Sequence, residues 1–189
     1  MSKKHKIAVF ASGQGTNFDV IASAAKAGEI PAEVVLMVCD KPQAKVCDIA
    51  TRHGIDSFIF SAKDYTSKAE YERAIVERCR LAGVELICLA GYMKIVGEEL
   101  LNAFRGEIIN IHPSLLPAFA GAKAIEQAME YGVKVYGATI HYVDETLDGG
   151  KIIAQRAVEY DGSNIEELTE MIHAIEHKLY IETIKKILE

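Results

Sequence analysis

The sequence predicts an α/β fold: a Rossmann-like open, mostly parallel sheet of about seven strands, with helices on both faces and a long C-terminal helix. Three observations predict it. Short continuous apolar runs alternate with longer amphipathic stretches, and such runs between helices imply a parallel sheet covered on both sides. The chemically distinctive residues follow those runs, where an open α/β sheet binds its ligands. The chain has 189 residues, 50% hydrophobic and 25% charged, which suits one globular domain with a sizeable core.

The elements follow in order. KIAVFA (6–11) is the first strand, and Phe18 to Ala27 the first helix. EVVLMVC (33–39) is the second strand, Ala44 to His53 the second helix, and SFIF (57–60) the third strand. Lys68 to Ala82 is helical, because Tyr71, Ile75 and Cys79 fall on one face. ELICLA (85–90) is a fourth strand, Glu98 to Phe104 a short helix, and EIINI (107–111) a fifth strand. Lys123 to Tyr131 is a further helix. YGATIHYV (136–143) alternates like a strand with one wet side, and KIIAQRAV (151–158) is another strand. The closing helix begins near Asn164, and its stripe of Ile165, Leu168, Ile172, Ile175 and Leu179 is expected to pack on the sheet.

Composition narrows the function. A net charge of -6 argues against a nucleic-acid surface, which needs a basic face. The first apolar run, Ile7 to Ala11, is too short for a signal-peptide core or a membrane span, so a cytoplasmic location is expected. Cys39, Cys47, Cys79 and Cys88 show no zinc or CxxC spacing and read as buried reduced thiols.

Four segments after strands carry the chemistry. SGQGTN (12–17) follows the first strand, and its glycines let the backbone approach an anion at a helix N-terminus. A bare structural turn is one reading of it, and a mononucleotide phosphate site the better one. A dinucleotide fingerprint would use Gly13 and Gly15, with Asp40 as the ribose acid, but position 18 is Phe where the third glycine belongs. AGYMK (90–94) offers small residues and an adaptable Met93 to a flat ligand, and reads equally as an ordinary strand-to-helix turn. In NIHPSLLP (110–117), Asn110 and His112 point to one side of an extended chain, and Pro113 and Pro117 restrain the loop behind them. Ser114 follows but lacks a nucleophile elbow. In DETLDGG (144–150), one carboxylate beside His112 would orient the ring and stabilise positive charge on it. A proton handler, its orienter and a carboxamide donor suit acyl transfer without a covalent nucleophile.

ASGQGTN, LAGYMKIV, NIHPSLLP and HYVDETLDGG, in this order, resemble the glycinamide ribonucleotide formyltransferases, within the folate-dependent formyltransferase and hydrolase superfamily. The resemblance covers essentially the whole chain. It implies formyl transfer from 10-formyltetrahydrofolate to the ribonucleotide in the third step of purine synthesis, with small-molecule substrates, no metal, no nucleic acid and no membrane. It implies Asn110, His112 and Asp148 as the catalytic trio. Gly13, Gly15, Thr16 and Asn17 would hold the ribonucleotide phosphate, with Glu176 contacting the ribonucleotide. Met93, Lys94, Ile95 and Val96 would line the pteridine pocket with Asp144, Glu145, Thr146 and Leu147, and Lys68 would lie near the folate. Residues 1–105 would form the phosphate-binding lobe and 106–189 the folate-binding and catalytic lobe of one domain, acting as monomer or homodimer. The family's precedent also implies a cis Leu116–Pro117 bond. Three positions depart from the pattern. Lys94 and Lys68 stand where Arg is usual, and Ala120–Gly121 replaces Pro-Gly, so that loop is expected to be more flexible.

Rival readings remain. Methionyl-tRNA formyltransferase shares the trio, but has a different loop at 120–125 and a C-terminal tRNA-binding domain, which a chain ending at Glu189 is not expected to carry. Formyltetrahydrofolate hydrolase carries an extra N-terminal domain, whereas the first strand here starts at residue 6. HAIEH (173–177) matches the HxxEH zinc motif, but catalytic zinc needs a third protein ligand, which Asp144 or His141 could supply only by coincidence of folding, so polar helix-surface residues around one substrate acid are the favoured reading. A non-catalytic nucleotide-binding module would explain SGQGTN but leave Asn110, His112 and Asp148 idle.

Overall fold

Every expected element forms, each within about two residues of its expected bounds. The computed structural model describes residues 4–189. Among them, seven strands join in one sheet: β1 (His5–Phe10), β2 (Ala32–Cys39), β3 (Ser57–Ile59), β4 (Leu86–Leu89), β5 (Ile108–His112), β6 (Val135–Tyr142) and β7 (Ile152–Glu159). The helices are α1 (Thr16–Ala27), α2 (Lys45–His53), α3 (Lys68–Ala82), α4 (Glu98–Ala103), α5 (Ala124–Tyr131) and α6 (Ile165–Leu188). A short 3-10 turn at Ala62–Asp64 was not expected. Its Ser61 hydroxyl accepts from Lys63 N–H, a local bond without hydrophobic periodicity to announce it.

The strand order is β3-β2-β1-β4-β5-β6-β7. β1 to β5 pair in parallel, and β6 and β7 add antiparallel. The order reverses beside β1, so the carboxyl ends of β1 and β4 open the crevice that such a sheet uses for ligands. One face packs Phe18 and Ile21 of α1, Val46 of α2, and Leu179, Tyr180 and Ile184 of α6. The opposite face packs Tyr71, Ile75 and Cys79 of α3 with Leu100 of α4. Further along α6, Leu168 and Ile172 pack with Ile125 of α5, so one helix stripe serves two clusters.

Two expectations need correcting. The wet strand is β7, whose residues alternate in exposure, whereas β6 is buried from Tyr136 to His141. The polar residues of β6 face polar protein rather than water. The Thr139 hydroxyl donates to the Ser114 carbonyl at 2.7 Å and accepts from Leu116 N–H at 3.0 Å. Cys39, Cys79 and Cys88 are buried free thiols, but Cys47 is only half-buried. Burial pushes the Cys79 thiol up to about 12, which makes it inert.

Candidate active site

A cavity of about 850 Å³ opens at the carboxyl ends of β1, β4 and β5. The β1–α1 loop forms one wall. Gly15 has φ 77°, and a Cβ there would lie 2.8 Å from the Val46 side chain, so shape and space both demand glycine. Val46 N–H donates to the Gly13 carbonyl, tying α2 to this loop. Gly15 caps α1 with no side chain over it, which leaves the N-terminal amides of a 12-residue helix facing the cavity. Gly13, Gly15, Thr16 and Asn17 all line this wall. Asn17 Nδ2 donates to Glu176 Oε2 at 3.1 Å, while Asn17 Oδ1 is buried with no partner. Burial pushes the Glu176 carboxyl above its ordinary value, against the opposing pull of Asn17, His173 and His112.

β5 delivers Asn110 and His112 to the floor, and β6 delivers His141 directly opposite Asn110. His112 Nδ1 lies 3.4 Å from Asp148 Oδ2, an ion-pair distance longer than a well-formed hydrogen bond. Its Nε2 donates to the Phe119 carbonyl at 2.8 Å. Both ring nitrogens thus face oxygen and can each carry a proton. Asp148 adopts φ 50° in the turn before Gly149–Gly150. A Cβ at Gly150 would lie 1.7 Å from the Tyr142 carbonyl oxygen, so glycine alone lets this turn close on β6. Gly121 N–H donates to Asp148 Oδ2 at 2.8 Å, so the loop with the Ala120–Gly121 departure is tethered to this carboxylate. The Leu116–Pro117 bond is cis. Ser114 donates to the Ala118 carbonyl at 2.6 Å, a bond within the loop.

His141 was missed as a site residue. It is 2% exposed, and its ring nitrogens meet Asn110 Nδ2 at 3.1 Å and the Tyr142 carbonyl at 2.9 Å. Donation from Nδ1–H to that carbonyl leaves Nε2 to accept from Asn110, which fixes the carboxamide's orientation. The position of a His one strand over from Asn110 is a register fact, and register is not written in β6 alone. Lys123 and His173 also line the cavity.

The opposite wall is built from Met93, Lys94, Ile95 and Val96 after β4, and from Asp144, Glu145, Thr146 and Leu147 after β6. Met93 is 65% exposed, Ile95 67% and Leu147 59%, an exposed apolar rim. Lys68 does not line the cavity; its Nζ lies 3.9 Å from Glu72 Oε1 at the start of α3. Asp40 is not free to bind a ribose, because it accepts from the Ser12 hydroxyl and lies 4.0 Å from Lys94 Nζ. Within HAIEH, Glu176 is engaged by Asn17, and burial pushes the His177 imidazole down. Among the described residues, no group of three or more His, Cys, Asp or Glu is disposed to hold a metal ion.

Known proteins resemble this chain in sequence and in fold. Residues 5–184 match the family model described as formyl transferase. The chain is 53% identical over 184 residues to a phosphoribosylglycinamide formyltransferase of Bacillus subtilis, covering 97% of this chain and 94% of that protein. It is 39% identical over 180 residues to the trifunctional purine biosynthetic protein adenosine-3 of Gallus gallus, covering 95% of this chain but 18% of that protein. A crystal structure of glycinamide ribonucleotide transformylase 1 from Geobacillus kaustophilus superimposes with a TM-score of 0.96 at 50% identity, covering 98% of this chain and 100% of that one. With nearly the full length matched in sequence and in structure, the chain belongs to the formyl transferase family.

Proposed function

We propose that this formyltransferase moves the formyl group of 10-formyltetrahydrofolate onto the glycinamide amine of 5-phosphoribosylglycinamide, the third step of purine biosynthesis. One observation carries the reading. Asn110 and His112 lie in a single cavity between a helix N-terminus suited to phosphate and an apolar rim suited to a pteridine. The names of the bacterial relatives support it.

On the ribonucleotide side, Gly13, Gly15, Thr16 and Asn17 cradle the phosphate through backbone N–H groups, and Glu176 accepts from the sugar hydroxyls. The unpartnered Asn17 Oδ1 is free to take a donor from the same substrate. On the donor side, Met93 to Val96 and Asp144 to Leu147 flank the pteridine. Lys94, which lines the cavity, serves the donor as a point charge rather than a fork.

In the reaction, the amine forms a bond to the formyl carbon and the carbonyl electrons move to oxygen. Asn110 N–H and doubly protonated His112 stabilise that oxyanion, and Asp148 balances the imidazolium. Donation by His112 Nε2 to the substrate exchanges its hydrogen bond to the Phe119 carbonyl. Collapse expels the folate nitrogen, and the proton lost by the amine reaches that nitrogen through water. No step calls for a metal.

Residues 1–105 carry the phosphate loop and 106–189 the catalytic side chains, while contacts to both substrates draw on both halves. The partners are small molecules, the assembly a monomer or homodimer, and the location cytoplasmic. Among the described residues no helix is long and apolar enough to cross a membrane. The test is release of tetrahydrofolate by the purified protein. Release that requires the ribonucleotide is expected. Release without it, or only with an aminoacyl-tRNA, would overturn the assignment.

A further inference from the structure

We infer that Glu72, a buried carboxylate outside the cavity, is a positioning residue that sets the donor-side wall; the inference rests on the function proposed above. Between β4 and α4, residues 91–97 form neither helix nor strand, yet they supply Met93 to Val96 to the cavity. Met93 and Ile95 are largely exposed, while Tyr92 and Val96 pack on the core and leave the backbone between and after them to be fixed by hydrogen bonds. Its backbone is held at two ends by two buried acids.

At the near end, Met93 N–H donates to the Ser12 hydroxyl at 2.9 Å, and that hydroxyl donates to Asp40. The carboxylate accepts only, so it forces the hydroxyl to keep a lone pair for Met93. At the far end, Gly97 N–H donates to Glu72 Oε1 at 2.7 Å. A Cβ on Gly97 would lie 2.7 Å from Glu72 Oε2 and 2.8 Å from Lys68 Cε, so glycine seats the backbone on the carboxylate. The Glu72 side chain is 2% exposed and does not line the cavity. Burial pushes its carboxyl up, and the amides of Gly97, Glu99 and Leu100 together with Lys68 pull it down.

The two ends differ in what else they touch. Ser12 opens the phosphate loop, so Asp40 serves both substrates. Glu72 meets that segment at Gly97, and its other partners, the α4 amides of Glu99 and Leu100 and the Lys68 ammonium, do not line the cavity. A merely structural acid would lower stability and disturb both substrates alike.

Steady-state kinetics of the full chain separate the two roles. Glu72→Ala should raise KM for 10-formyltetrahydrofolate about tenfold and leave KM for the ribonucleotide within about twofold, because a buried N–H loses its acceptor on one side of the cavity only. Glu72→Gln should restore most of the loss, since its amide oxygen still accepts from Gly97. Gly97→Ala should reproduce the donor defect from the other partner, and it carries the test if Glu72→Ala fails to fold by circular dichroism. Asp40→Asn, which keeps an acceptor for Ser12 but loses the charge facing Lys94, should move both KM values or neither. Unchanged donor KM in folded Glu72→Ala or Gly97→Ala, or an equal rise for both substrates, would overturn the inference alone. No ribonucleotide-dependent turnover by the unaltered protein would overturn both it and the proposed function.

Discussion

Asp148 is the residue on which three contacts converge: His112 at 3.4 Å, His141 at 3.8 Å and the Gly121 amide at 2.8 Å. Asp148→Asn keeps the shape, removes the charge and can turn an N–H toward an imidazole. Turnover should fall about a hundred- to thousandfold, the usual scale for losing one oxyanion-stabilising element. Single-turnover formyl transfer, with ribonucleotide affinity measured separately by calorimetry, checks this; a tenfold loss of affinity instead would move Asp148 to substrate binding. Glu176 makes a pH prediction. Burial raises its folded value above the ordinary 4.5, so its contribution to stability is present below 4.5 and is lost as pH rises through the folded value. The carboxylate proposed to accept sugar hydroxyls forms over that same rise. Ribonucleotide affinity should therefore increase with pH above 4.5, and Glu176→Gln should flatten the profile. Asn110 and His112 were legible because their spacing puts them on one side of a strand. His141 and Glu72 were not, because their partners lie 31 and 25 residues away across the fold.

At the scale of elements, helix α6 shows what local sequence determines. Asn164 Oδ1 accepts from Glu166 N–H at 2.9 Å and Glu167 N–H at 3.2 Å, and acids fill the first turn. Asn164→Ala should cost about 1 kcal/mol, read as a lower urea midpoint at constant slope, with catalysis unchanged at saturating substrates. The helix start was legible because a cap is a short-range device. Strand β6 was misread for the opposite reason. Thr139 and His141 look like a solvent face, but the loop after β5 folds back over Thr139, and Asn110 and Asp148 meet His141. Gln155 of β7 reinforces that cover, its Nε2 donating to Thr139 Oγ1 and the Leu116 carbonyl, each at 2.9 Å. Polarity within β6 reports a non-aqueous surrounding only when the covering loop is known.

At the scale of the whole molecule, the ligand cavity binds the two halves of the chain into one unit. β4 of residues 1–105 pairs directly with β5 of residues 106–189, and the Tyr180 hydroxyl of α6 donates to the Leu89 carbonyl at 2.8 Å. Glu176 lines the same cavity as Gly13, and so do His112 and Met93. Cutting between 105 and 106 would expose the paired edges of β4 and β5 and both sides of the site. Unfolding should therefore be a single transition, with far-ultraviolet circular dichroism and tyrosine fluorescence coinciding along a urea titration. The ribonucleotide at about a hundred times its Kd should shift that whole transition by about 2.7 kcal/mol rather than split it. Separate transitions, or a soluble folded fragment of residues 1–105 that binds the ribonucleotide by itself, would show that the halves are independent lobes. The continuous sheet argues against that outcome, because the residues for each substrate meet only when β4 and β5 are paired.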